Sequence, residues 1–300
     1  MESAAGDTKS HSPMTLDEFF RDYYRPLRLI SKSENTSRLY GCTLRSYARH
    51  LGRTPTVEQD LTDLQIARFV AARVKTRSPY TAEKERSQLC SLARFASDRR
   101  LIPEKPLMSP CTLPERIPNG WTIDELRKLI DVAGETHGRV GGVLASVWWR
   151  ALILTLWQSA ERVGAILAVE HGDYRRPTLS VQAEYRKGGK RSKTYTLSPS
   201  ACDLVDEVHR AGHDHLFHWD RPPTSLWSSF GGIVKKAGLG DGRRCKFHAL
   251  RRSAASHYAA AGGNPTTLLD HSSPRITRAY MVPRIVDVGP QPCEILPEIG

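Results

Sequence analysis

Near the C-terminal end of the chain, His271 is followed nine residues later by Tyr280. Upstream, Phe247-His248-Ala249-Leu250-Arg251-Arg252 sets a histidine and an arginine one helical turn apart, so both project toward one spot. Arg162 stands further upstream, in Ser159-Ala160-Glu161-Arg162-Val163-Gly164-Ala165, just after a long apolar stretch. Between the two arginines lies a basic turn, Tyr185-Arg186-Lys187-Gly188-Gly189-Lys190-Arg191. A guanidinium grips a phosphate through two parallel hydrogen bonds and stays charged at any working pH. A lysine desolvated beside phosphate can deliver a proton to a leaving hydroxyl. Tyrosine is a weak nucleophile at its free pKa and needs positive charge or a base nearby. These are the parts needed to break a phosphodiester through a covalent tyrosine intermediate.

Taken singly, each residue has a plainer reading. Arg162 suits an ion pair with Glu170, Lys187 a solvated turn, and Tyr280 an interfacial aromatic with a wet hydroxyl. Arg252 reads as a solvent-facing neighbour of Arg251, while Leu250 and Ala254 point into a core. The order of the set, with a hairpin between the arginines, is what makes coincidence a poor explanation.

Those residues need elements to hold them. Residues 1–13 are small and polar and read as a disordered tail. Thr15-Leu16-Asp17-Glu18 is a capping box. A second helix runs from about Thr36 to Leu51, with Tyr40, Leu44, Tyr47, Ala48 and Leu51 on one face and Arg38, Arg45 and Arg49 elsewhere. Thr62 caps a third helix with a Leu64, Ala67, Val70, Ala71 stripe. Ser78-Pro79 starts a fourth, whose apolar face is Leu89, Leu92, Ala93 and Ala96. Residues 14–102 therefore predict a four-helix domain. Five prolines between Pro103 and Pro118 predict an extended linker over 103–120.

The second domain opens on another capping box, Thr122 to Glu125, and extends over 121–280. Val143 to Gln158 reads as a buried helix, and Thr178–Ala183 and Lys193–Leu197 as strands about the basic turn. Helices follow from Ser198 and from Phe247 to Ala261. The expected fold is mainly α with a small β-sheet.

Lys plus Arg number 44 against 32 Asp plus Glu, a formal net charge of +12. Residues 1–117 hold 20 basic and 14 acidic residues, and 118–300 hold 24 and 18, so each half carries +6. That balance favours a polyanionic partner clasped by both halves. No signal peptide is visible, the most apolar stretch is too short to span a bilayer, and the six scattered cysteines read as cytosolic thiols.

The whole pattern, from about Met14 to Tyr280, resembles the tyrosine recombinase (phage integrase) family. The resemblance implies an N-terminal core-binding domain and an α+β catalytic domain. It implies that Tyr280 attacks a DNA phosphate, leaving a 3′-phosphotyrosyl link and a free 5′-hydroxyl. Arg162 and Arg251 would hold the non-bridging oxygens. Lys187 would be the general acid, with Lys190 and then Lys193 as further candidates. His248 would assist proton transfer from Tyr280, and His271 would hydrogen-bond the phosphate. Arg38, Arg45, Arg49, Lys190 and Arg191 would contact DNA. No metal, nucleotide or other cofactor is called for.

The implied partners are double-stranded DNA, three further copies in a homotetramer on synapsed sites, and accessory DNA-bending proteins. The location would be cytoplasmic and nucleoid-associated. The apolar, proline-broken stretch 281–300 would dock on a neighbouring protomer. Three features depart from the family's pattern: Ala165 stands where an acidic residue is usual, Asp270 where glycine is usual, and the 254–270 stretch is short. Glu161 or Glu170 are the residues placed to supply the missing acid. A type IB topoisomerase-like or telomere-resolving strand transferase, and a non-catalytic DNA-binding regulator, remain as alternatives.

Overall fold

The computed structural model describes residues 13–186, 188, 191–242 and 246–286. It separates into two compact units, Met1–Glu115 and Arg116–Gly300. The fold is mostly helical, with a two-stranded and a three-stranded sheet. Among the described residues no helix is long and apolar enough to cross a membrane. The tail proposed for residues 1–13 lies outside the described residues, Pro13 apart.

In the first unit the capping box forms as its residue types require: Thr15 accepts from the Glu18 N–H and Glu18 reaches back to the Thr15 N–H. The first helical segment continues through a π turn, Phe20–Tyr24, to Arg28. Helices Glu34–Leu51, Asp63–Thr76 and Pro79–Asp98 follow, the last two capped by Thr62 and Ser78. Phe19, Leu44, Tyr47, Phe69, Leu89 and Leu92 fill the core.

One expectation needs correction here. On the Asp63–Thr76 helix the buried stripe is Ile66, Phe69 and Val70, whereas Leu64 is exposed. The larger aromatic side chain sets the inward face and rotates the expected stripe. The proline-rich stretch 103–120 forms no helix or strand, and part of it packs on the first unit. Met108 and Cys111 pack on the helical core, and the Cys111 N–H donates to Glu83.

The second unit forms around Ala145–Ser159, a helix buried along most of its length. Its Trp148 and Trp149 make an aromatic cluster with Phe217, Trp219 and Phe230. Phe230 also stacks on Phe247, ring centroids 4.0 Å apart, which seats the first turn of the Phe247–Ala260 helix. That helix is further fixed by Ser253, whose hydroxyl accepts from the Trp121 N–H at 2.6 Å.

Strands Thr178–Val181 and Lys193–Thr196 pair antiparallel, Val181 opposite Lys193, with a third short strand, Tyr174–Arg175, on the outer side. After the Phe247–Ala260 helix, Gly262 adopts φ +86°, and Asn264 caps the short helix Pro265–Leu269. The start of the C-terminal stretch differs from expectation. Val282 and Ile285 are buried on their own unit, the Val282 N–H donating to Ser256, and Arg284 pairs with Glu125. Residues 287–300, which hold the rest of the proposed docking segment, lie outside the described residues.

Candidate active site

Arg162 is the N-cap of the helix Val163–Leu167, directly after the buried Ala145–Ser159 helix. The turn between the two helices places Ala160 at φ 50°, a left-handed conformation that favours glycine. Its carbonyl accepts from Nη1 of Arg251. Arg162 is half-buried, and among the described residues its guanidinium has no carboxylate partner. The ion pair with Glu170 does not form. Glu170 is exposed and instead makes a capping box with Asp173.

Arg251 projects from the Phe247–Ala260 helix and is only 2% exposed. Its Nη2 donates to the Leu269 carbonyl at 2.9 Å, two residues before His271. Its Nη1 lies 3.6 Å from Oε2 of Glu161. Burial first, then the like charge of Arg162, push the Arg251 pKa down to about 10, so it stays charged near neutral pH.

Glu161 is the acid at the centre. It is buried, and its Oε1 accepts from Nε of Arg186 at 2.7 Å and from the Tyr195 hydroxyl at 2.8 Å. Of the two acids considered in place of Ala165, the geometry brings in Glu161.

Arg186 is the residue that sequence reasoning passed over. It sits at the base of the basic turn yet is buried, and its Nη1 donates to the Arg191 carbonyl and, at 3.0 Å, to Asp270. Asp270 takes φ 55° and ψ 45° at the end of the Pro265–Leu269 helix. That left-handed position explains why glycine suits it and why aspartate is among the few side chains that tolerate it. The extra negative charge at Asp270 is thus paired. Lys193 ties the hairpin to the same helix, donating to the carbonyls of Thr267 and Leu268. Desolvation, then the charge of Arg186, lowers the Lys193 pKa. Lys187 and Lys190 lie outside the described residues; Arg191 is exposed.

His271 and Tyr280 meet edge to face, ring centroids 4.8 Å apart, across the short helix Pro274–Arg278. Nδ1 of His271 pairs with the buried Thr277 hydroxyl at 3.1 Å, and among the described residues Nε2 has no hydrogen-bond partner. Burial, then Arg251 and Arg162, hold its pKa below the ordinary histidine value. The pKa of His248 is lowered in the same way, by burial and then by Arg252, Arg251 and Arg162, although part of the residue reaches solvent. Arg252 is not a bystander. It is half-buried, and its guanidinium lies 5.6 Å from the centre of the Tyr280 ring.

Arg162, His248 and Arg251 line one cavity of about 540 Å³, with Tyr185, Trp227 and Lys246 on its walls. Lys246 was not anticipated. It stands two residues before His248, and its ammonium donates to the Trp227 carbonyl at 3.0 Å. His271 and Tyr280 do not line this cavity; Tyr280 lies against Arg252, the neighbour of Arg251, and packs with Ala160 and Ala254. On the first unit, Arg38, Arg45 and Arg49 are exposed along the Glu34–Leu51 helix and make only local hydrogen bonds.

A helical domain carrying this ordered set of cations around a tyrosine defines the class, and comparison with known proteins agrees. Residues 122–284 match the phage integrase family, and the chain belongs to that family. Across 91% of both chains it is 23% identical to tyrosine recombinase XerA of Pyrococcus horikoshii. It is 24% identical to XerA of Thermococcus onnurineus, over 88% of this chain and 90% of that one. Its fold is similar to that of a lambda integrase (75–356) dimer solved on a COC′ core site, with a TM-score of 0.72 and 18% identity over 96% of this chain and all of that one. The Tn1549 transposon integrase, solved with circular intermediate DNA, gives a TM-score of 0.67 at 13% identity, over 89% of this chain and 95% of that one.

Proposed function

We propose that this chain is a site-specific DNA recombinase that cuts and rejoins strands through a 3′-phosphotyrosyl link at Tyr280. The observation that carries the reading is a cavity whose walls hold Arg162, His248 and Arg251, with Arg252, the next residue, against a tyrosine that packs on a second histidine. Arg251, fixed by two backbone carbonyls, and Arg162, whose guanidinium has no acid among the described residues, present their remaining donors to the non-bridging oxygens, an oxyanion role. The Tyr280 oxygen attacks phosphorus, and its proton passes to the neutral imidazole of His248. The bond to the 5′-oxygen breaks, and that oxygen takes a proton from a hairpin lysine, Lys187 in this reading. His271 hydrogen-bonds the phosphate through Nε2. Rejoining reverses these steps on a new 5′-hydroxyl, so the bond energy is kept.

Double-stranded DNA is the partner, and four copies on two synapsed sites would carry out exchange, with accessory DNA-bending proteins where sites must be brought together. Arg38, Arg45, Arg49, Lys190 and Arg191 would touch its backbone, positioning the protein rather than reading sequence. The enzyme would work at the nucleoid, in the cytoplasm. Recombinases and integrases among the relatives favour strand exchange over bare relaxation. The test uses two duplexes of different length carrying one binding site selected from a random pool. Products of hybrid length are expected. Nicking and resealing with no hybrid product would move the chain to the relaxing enzymes.

A further inference from the structure

Arg186 lies on the stem of a basic turn, where an arginine ordinarily faces water. Here the side chain is 2% exposed and bridges two carboxylates from distant parts of the sequence, Glu161 and Asp270. The two oxygens of Glu161 are divided. Oε1 is filled by Arg186 and Tyr195, while Oε2 takes the Arg162 N–H at 3.3 Å and stops 3.6 Å short of Arg251. That last separation is attraction without a hydrogen bond. Arg251 therefore keeps donor capacity for a phosphate. At its other end Arg186 holds the carboxylate of Asp270, the residue beside His271.

We infer that Arg186 is a positioning residue for strand cleavage: its buried guanidinium keeps Glu161 from closing on Arg251 and keeps Asp270 from facing the phosphate. The inference rests on the Tyr280 reading given above. Without Arg186, one acid would take up the donors of Arg251, and the other would repel the anion beside His271. Removing either acid's charge in that background should then restore part of the rate. A guanidinium that merely stabilised the fold would change how much protein is active, not how fast each active molecule cleaves.

The experiment is single-turnover cleavage of a nicked suicide duplex at saturating protein. Amplitude reports the active fraction, the rate constant reports positioning, and half-site affinity is measured alongside. Arg186→Met should lower the rate constant by about 10- to 100-fold, as loss of a supporting partner at a reactive site does. Affinity should stay within about threefold. Adding Asp270→Asn or Glu161→Gln should each recover part of the loss. If Arg186→Met does not fold, Arg186→Lys keeps one charge but cannot span both acids. It should be slowed, and Asp270→Asn should again recover rate. A wild-type rate constant in the Arg186 variants, or a loss that neither acid substitution relieves, overturns the inference. Absence of adduct from the wild-type chain would instead overturn the Tyr280 reading beneath it.

Discussion

The two units pair their acids with arginine in opposite ways. In the first, the buried Glu85 and Asp60 and the half-buried Glu83 each have an arginine of their own: Arg73, Arg53 and Arg86. Arg86 and the Cys111 N–H hold Glu83 well below the usual carboxylate range, at about 2. These pairs are closed. In the second unit Arg186 and Arg251 share Glu161, Asp270 meets only Arg186, and Arg162 has no acid among the described residues. Two histidines beside them are held toward neutrality, first by burial and then by the same positive field. A balanced pair stabilises a fold; a surplus of fixed cations around a cavity is preorganised for an anion that arrives later.

The contrast can be broken first at Arg251. Arg251→Ala should slow cleavage by about 10²-fold or more, the usual cost of losing a preorganised oxyanion donor. Arg73→Ala, which opens a closed pair, should lower the melting temperature and leave the rate constant of the folded enzyme unchanged. Equal effects of the two on rate would erase the distinction. A smaller loss is expected at Arg252. Removing a cation from the face of the Tyr280 ring should cost up to about tenfold in cleavage, by the scale of cation–π contacts. No change in rate would make that contact incidental.

The weakest effect is on pH dependence. Unfolded histidine titrates near about 6.5, whereas His248 and His271 have lowered values in the folded chain. As pH falls through the ordinary value, the unfolded chain takes up protons first, so stability drops until the folded values are reached. His271→Asn should flatten the fall of melting temperature below about pH 6.5. An unaltered slope would mean that burial and the neighbouring arginines do not depress His271 in the folded chain.

Much of this was legible in the sequence because local physics dictated it. Thr15, Thr62, Thr122 and Ser198 cap the helices they precede, and the alternating strands pair about the basic turn. The i, i+3 relation of His248 and Arg251 put both on one cavity wall. The same geometry places Arg252 at i+4, and setting it in solvent overlooked that. Arg186 was hidden for a different reason. Nothing in a run of basic turn residues says which one faces inward, because that depends on Glu161 and Asp270, far away in sequence. The αL conformation at Asp270 and the cavity lysine Lys246 depend equally on tertiary neighbours.

The central claim is that the surplus cations serve a covalent attack by Tyr280. The direct measurement is to form the adduct on a nicked suicide duplex, digest the protein, and identify the DNA-bearing peptide by mass spectrometry. A nucleotide on Tyr280 is expected, with no adduct from Tyr280→Phe and DNA affinity nearly unchanged. A nucleotide on any other residue, or a normal yield of adduct from Tyr280→Phe, would contradict the account.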